Sequence, residues 1–211
     1  MLYIICKENK HKYKKILNSM HELRKVVFKD TLKWDVYIEE GKEYDQFDTD
    51  NAFYLVCVDD SNNVVGSTRL ISTIYPYLLG DVFPELTGNY GVKKESNIWE
   101  TTRFCGDPVN APKDIMGQLA LGMLEFGLIY NIKEYVSVSD IRIEKLIRKY
   151  HWFPERLGKT INTGTEVSAG ERFPVNLQIY LNVRNGLGFD KPVIQNISEL
   201  PLALEPSKLV A

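Results

Sequence analysis

The sequence predicts an α/β fold, a mixed twisted sheet with helices on both faces. Three observations carry that expectation. Runs of β-branched and aromatic residues of strand length alternate with segments of helical period. Helices intervene between strands, which implies parallel crossovers within a layered sheet. The 211 residues, 44% of them hydrophobic, are enough to enclose one core.

Leu2 to Cys6 reads as the first strand. Asn9 then opens a helix whose apolar positions Tyr13, Ile16, Leu17, Met20, Leu23, Val27 and Phe28 step by three and four along one face. From Asp30 to Asp50 charged and aromatic residues alternate around Gly41, the pattern of an ordered loop pair crossing the surface. Phe53 to Val58 and Val64 to Thr73 flank the turn formers Asp59-Asp60-Ser61-Asn62-Asn63, so they form a hairpin. Tyr75 to Val92 carries two prolines and three glycines and reads as irregular chain or a short helix, and Ile98 to Cys105 as a further strand.

Between Asp114 and Asn131, residues Ile115, Leu119, Met123, Phe126 and Ile129 or Tyr130 recur at helical spacing with almost no charge. That helix is expected to be buried on most sides. Glu134 to Ser139 is a strand, and Ser139 or Asp140 caps a helix running to about Tyr150. Strands are expected at Thr160 to Val167 and Val175 to Val183. Residues 1–183 make the domain, and 184–211 a C-terminal extension, read as partly mobile because Asn185 to Ala211 has three prolines and weak periodicity.

A net charge of -2 provides no overall field for holding nucleic acid. Cys6, Cys57 and Cys105 are odd in number, far apart and without metal-ligand spacing, so reduced thiols and no metal are expected. The apolar start Met1 to Cys6 is too short for a secretory core, and no apolar run approaches the ~20 residues that span a bilayer. The expectation is a soluble, cytoplasmic protein with neither membrane nor nucleic acid as partner.

Charge gathers in a few places. Arg24 lies on the first helix, Trp34, Asp45 and Asp48 on the following loops, and Arg69, Glu100 and Arg103 in strand-like runs. Aspartates in loops commonly satisfy local amides, and a lone tryptophan is usually packing. Charges within strands of a covered sheet, however, must be paired to be tolerated. A ligand-free network of ion pairs is one account of them; a site for a zwitterionic, cationic substrate is the other. On a regular strand Glu100 and Arg103 would face opposite sides, and a β-bulge between them would bring both to one. His11, His21 and His151 show no base-and-nucleophile arrangement. Arg142, Lys145, Arg148 and Lys149 on the 140–150 helix make a solvated face that would also suit an acidic carrier protein.

Arg24, Phe28, Trp34, Asp45-Gln46-Phe47-Asp48, Gly66-Ser67-Thr68-Arg69-Leu70 and Glu100-Thr101-Thr102-Arg103-Phe104 resemble the acyl-homoserine-lactone synthases, the autoinducer synthases of bacterial quorum sensing. The resemblance spans residues 1–183 and fills all eight signature positions: Arg24, Phe28, Trp34, Asp45, Asp48, Arg69, Glu100 and Arg103. It implies an N-acetyltransferase-like layered fold, although no glycine-rich pyrophosphate loop precedes the 114–131 helix. It also implies an acyltransferase that uses no cofactor. S-adenosylmethionine, as substrate, supplies the amine, and an acyl thioester on acyl carrier protein or coenzyme A supplies the chain. Closure of the lactone then releases methylthioadenosine.

On that resemblance Arg24, Phe28, Trp34, Asp45, Asp48, Arg103 and Phe104 bind S-adenosylmethionine. Glu100, Asp45, Asp48 and Arg69 form the catalytic set, with Glu100 as base or base-orienting group and Arg69 ordering the acids. Met116, Leu119, Met123, Phe126, Val136, Ser137 and Val138 line the acyl pocket, and either Val136 or Ser137 occupies the position associated with 3-oxo chains. Two other readings use the same residues less fully: a generic N-acyltransferase for another amine, and a non-catalytic sensor of an adenosylated or acylated ligand.

Overall fold

The computed structural model describes residues 1–162 and 166–202. Its main sheet takes in β1 (Leu2–Ile5), β4 (Phe53–Val58), β5 (Val64–Ser72), β6 (Ile98–Gly106), β7 (Glu134–Asp140), β10 (Val167–Pro174) and β8 (Glu155–Arg156), in that spatial order, with β9 (Ile161–Asn162) also paired to β10. Among the strands of the described residues only the β6–β7 pair is parallel, and the buried helix α3 (Ile115–Ile129) makes its crossover. Alternation along β4 explains the two layers: Phe53, Leu55 and Cys57 face α3, whereas Tyr54, Val56 and Val58 face α1 (Lys14–Arg24). At Gly122 of α3 a Cβ would meet Leu2 Cδ1 at 2.5 Å, so the absent side chain lets the helix sit close on the sheet.

Several elements depart from the sequence-based expectation. The first helix starts at Lys14, because Asn9 closes a turn instead, accepting from Cys6 N and donating to Ile4 O, both at 2.9 Å. Its C-terminal end widens into a π-helical segment, Lys25–Thr31, that buries Phe28. Within the expected loop pair, β2 (Tyr37–Glu39) and β3 (Lys42–Tyr44) form a hairpin whose turn residues Glu40 and Gly41 both have positive φ, the geometry of a tight two-residue connection. The irregular stretch contains α2 (Leu78–Asp81) and a 3-10 segment at Pro84–Tyr90.

The largest correction concerns the strands expected at Thr160 to Val167 and Val175 to Val183. The long strand is β10, between them, and Leu177–Leu187 is a helix, α5. Asn176 Oδ1 accepts from Ile179 N at 2.9 Å to cap it, and Tyr180 and Val183 are buried one turn apart, a helical spacing that the apolar run concealed. Residues 163–165 of the expected first strand lie outside the described residues.

After α5 the chain returns to β1. Glu125 on α3 accepts from Val193 N and Ile194 N, and Asn196 Oδ1 accepts from Ile4 N at 2.9 Å. The end of the C-terminal extension, 203–211, lies outside the described residues. Among the described residues no helix is long and apolar enough to cross a membrane.

Candidate active site

β6 and β7 pair only at Ile98–Glu100 against Glu134–Val136, yet both strands continue beyond. A cavity of about 780 Å³ opens where they part. Thr101, Thr102, Arg103 and Phe104 line it from β6, and Ser137, Val138, Ser139 and Asp140 from β7.

The divergence has a local origin. Between Arg69↔Thr102 and Ser67↔Cys105, β6 advances three residues while β5 advances two, so β6 bulges there. A bulge bends and twists the strand that carries it. Arg103 takes a left-handed φ of 55° in this bulge, a conformation that costs a non-glycine residue about 1–3 kcal/mol and that clusters at functional sites. Thr102 Oγ1 accepts from Arg69 Nε on the α1 face, and Arg103 reaches that same face. The chain geometry therefore joins Glu100, Thr102 and Arg103 on one side of the sheet.

On that side three arginines and three carboxylates alternate. Arg24 Nε binds Glu43 Oε2 at 2.5 Å, and its two terminal nitrogens grip both oxygens of Asp48 at 2.7 and 2.8 Å. Arg69 Nη1 binds Asp45 at 2.5 Å and Asp48 at 2.9 Å. Arg103 Nη2 binds Glu43 Oε1 at 2.9 Å and Asp45 Oδ2 at 2.8 Å. Equal numbers of each charge make the cluster formally neutral, which is what its burial requires. Tyr54, across from Arg69 on β4, donates to Asp48.

Glu43 is the residue that sequence reasoning passed over. Fully buried on β3, it links Arg24 to Arg103. The available signal was its two-residue offset from Asp45, which puts both carboxylates on one side of an extended segment.

Burial favours protonation of Asp48 and Asp45, but guanidinium contacts outweigh it. Arg24 holds Asp48 far below the usual carboxylate range, and Arg69 lowers Asp45. Both are therefore spent as anions in ion pairs. Glu100 is different. Burial pushes it up to about 7 against the lowering effect of two amides, Leu79 N at 2.6 Å and Leu78 N at 2.8 Å. Those amides open α2, and Leu78 lines the cavity although Glu100 itself does not. Buried His21, whose ring lies tilted by 32° against Tyr44 with centroids 4.2 Å apart, is pushed down to about 4, chiefly by burial and then by Arg24.

Phe28 and Trp34 stack at 4.9 Å with rings 22° apart, and the Arg103 guanidinium lies 5.3 Å from the Phe28 ring. All three line the cavity. A second hollow of about 490 Å³, bounded by Tyr37, Tyr44, Asp45 and Gln46, shares Asp35, Val36 and Arg103 with it.

Of the expected acyl-pocket residues, Met123, Ser137 and Val138 line the cavity, and Met116, Leu119, Phe126 and Val136 do not. Met116 packs near Gly106, and Leu119 near Gly66 on β5. Phe126 belongs to a ring cluster with Phe53, Trp99 and Tyr130. Val136 faces the opposite side of β7, with Tyr77 and Leu86. Helical period identified the apolar face of α3 but not which of its turns meets the gap between the strands. Ile147, Trp152 and Phe173 complete the apolar wall in their place.

Comparison with known proteins gives consistent matches. The family model described as autoinducer synthase matches residues 8–179. An acyl-homoserine-lactone synthase of Agrobacterium fabrum (strain C58 / ATCC 33970) is 31% identical over 172 residues, 78% of this chain and 82% of that protein. The structure of a CoA-dependent acyl-homoserine lactone synthase, BjaI, with SAM and isopentyl-CoA superposes with a TM-score of 0.86 at 22% identity over 92% of each chain. A putative N-acetyltransferase from Lactobacillus plantarum shares the broader fold, with a TM-score of 0.56 at 11% identity over 83% of this chain and 99% of that one.

Proposed function

The chain belongs to the autoinducer synthase family and is an acyl-homoserine-lactone synthase, and from that premise we propose how its two hollows divide the reaction. S-adenosylmethionine spans the smaller hollow at Asp45 and the adjoining Phe28–Trp34 end of the larger cavity, with Arg103 between them, and the acyl thioester enters the rest of that cavity, the gap between β6 and β7. The observation that carries this reading is the single charge network, drawn from α1, β3, β5 and β6, that ends at the junction of the two spaces.

Within that network the roles separate by exposure. Arg24 and Arg69 are fully buried and committed to carboxylates, so they hold Asp48 and Asp45 in place. Arg103 alone among the three arginines lines both hollows, and it takes the methionyl carboxylate. The Phe28–Trp34 pair offers its π faces to the sulfonium. Asp45, lowered and ionised, faces the second hollow and attracts the substrate's ammonium group.

That amine must lose a proton before it can attack. Glu100, pushed up to about 7, has the proton affinity suited to a base at neutral pH, and it acts through a bridging water because it stands behind the wall at Leu78. The amine nitrogen then bonds to the thioester carbonyl carbon, the C–S bond breaks and the sulfur leaves as a thiol. Next the methionyl carboxylate attacks the carbon bearing the sulfonium, the second C–S bond breaks and methylthioadenosine departs. Arg103 holds that carboxylate near its target, and orientation of this kind supplies up to ~7–11 kcal/mol.

Incubating the protein with S-adenosylmethionine and acyl thioesters, on coenzyme A and on acyl carrier protein in parallel, tests the assignment. Methylthioadenosine and an acyl lactone should appear together by mass spectrometry, and the productive arm identifies the donor. Thiol release without methylthioadenosine would instead indicate a generic N-acyltransferase, and neither product a ligand sensor.

A further inference from the structure

Among the buried acids that the mechanism does not use, one stands apart. Glu171 on β10 is 0% exposed and pairs with no lysine or arginine among the described residues. Its neighbour Glu144 on α4 (Ile141–Lys149) has taken Arg148 Nε at 3.0 Å and Arg156 Nη2 at 2.6 Å. Glu171 Oε1 has no hydrogen-bond partner, while Oε2 accepts from Ser139 Oγ. Burial pushes this carboxyl up to about 7; the Ser139 hydroxyl works to lower it and the Glu144 charge to raise it. An acid held without a cation costs stability, so its retention calls for another reason.

Ser139 connects this acid to the cavity. It lines the space along with Ser137, Ile143, Ile147, Trp152 and Phe173. A serine hydroxyl has one proton and two lone pairs. The Ser139 proton goes to Oε2 of Glu171, and the proton that the raised carboxyl takes up belongs on Oε1, the oxygen no other hydrogen bond occupies, so what Ser139 has left to offer the cavity is an acceptor. A bare hydrocarbon chain packed there would leave that acceptor dry and unpaired, whereas a donor on the chain would satisfy it.

We propose that Ser139, oriented by Glu171, is a specificity-determining residue that selects acyl groups bearing a hydroxyl on the chain over those bearing an oxo group or no substituent. The inference rests on the thioester lying between β6 and β7, as set out above. It concerns a different side chain from Ser137, which also faces the cavity. Ser137 makes no side-chain hydrogen bond among the described residues, so its hydroxyl is not oriented in this way.

The test is a set of coenzyme A or carrier-protein thioesters of one chain length: unsubstituted, and with a hydroxyl or an oxo group at successive carbons beyond the carbonyl. The quantity read is the ratio of kcat/KM for each substituted chain to that for the unsubstituted chain, within each protein variant. The wild type should favour one hydroxylated chain about tenfold, the size of one hydrogen bond in a water-excluded site. Ser139→Ala should bring that ratio to within about twofold of one. Glu171→Gln, whose amide can donate to Ser139 and free its proton, should lower the hydroxyl ratio and raise the oxo ratio. Ser137→Ala should leave the hydroxyl ratio in place.

A wild-type ratio near one at every carbon, or a ratio that survives Ser139→Ala, would overturn the inference while lactone formation still upheld the synthase reading. Absence of lactone from every thioester would remove that reading and this inference with it.

Discussion

Replacing Glu43 by glutamine tests whether the charge network is one unit. The carboxylate is 0% exposed and serves two guanidinium groups, Arg24 Nε at 2.5 Å and Arg103 at 2.9 and 3.1 Å. Glutamine keeps the shape and one carbonyl oxygen, but it turns an NH₂ toward one arginine and leaves the cluster with a surplus positive charge. Removing one partner of a buried pair costs about 3–5 kcal/mol, and the retained oxygen argues for about 3 kcal/mol here. For a domain of this length each kcal/mol shifts Tm by roughly 2–4 °C, so thermal unfolding should move down by roughly 6–12 °C. The contrasting change is Asp50→Asn, which breaks an exposed pair with Lys10 whose side chains are 52% and 50% accessible. It should leave thermal unfolding close to wild type, because an exposed, solvent-screened pair contributes little. Calorimetric titration with S-adenosylmethionine should also weaken at least tenfold in the Glu43 variant, because Arg103 loses one of its two carboxylate anchors. A Tm within about 2 °C of wild type, with affinity unchanged, would show that Glu43 carries none of this load.

Three further outcomes follow from the same geometry. If Glu100 is the base, kcat/KM should rise as pH passes about 7, and Glu100→Gln should abolish product while circular dichroism and the affinity for S-adenosylmethionine stay near wild type; full turnover by that variant would remove Glu100 from the mechanism. The folded value of Asp48 is depressed, so its stabilising effect is present above its unfolded value near 4 and is lost as pH falls below it. Asp48→Asn should therefore be less stable at neutral pH and show a flatter acid limb in denaturant titrations between about pH 5 and 2; an unaltered limb would contradict the pairing with Arg24. Trp34→Ala should raise the dissociation constant for S-adenosylmethionine by roughly 3- to 30-fold, the range of a cation–π contact, with a smaller effect on an uncharged thioether analogue.

Local pattern reached a long way in this chain. The strands β1, β4, β5, β6 and β7 and the buried α3 follow from apolar period and turn residues that act within a few positions of one another. The arginines and aspartates of the site were visible as charges in surroundings that tolerate charge only in pairs. The same locality explains the failures. Leu177 to Leu187 reads as a strand when its apolar run is taken alone, and only the cap at Asn176 and the seat of Val183 against the core make it a helix. Glu43 resembles any acid in a polar loop until the hairpin of β2 and β3 folds it under α1.

The sequence by itself determined the layered class, the family and the inventory of charged side chains, because those depend on residue types and short-range spacing. Only the tertiary structure decided which acid is spent and which retains its proton affinity. Asp48 and Glu100 are both buried carboxylates, yet one meets two guanidinium groups and the other two main-chain amides. Proton affinity is set by neighbours within a few ångströms, and in this fold those neighbours come from segments that chain order keeps apart.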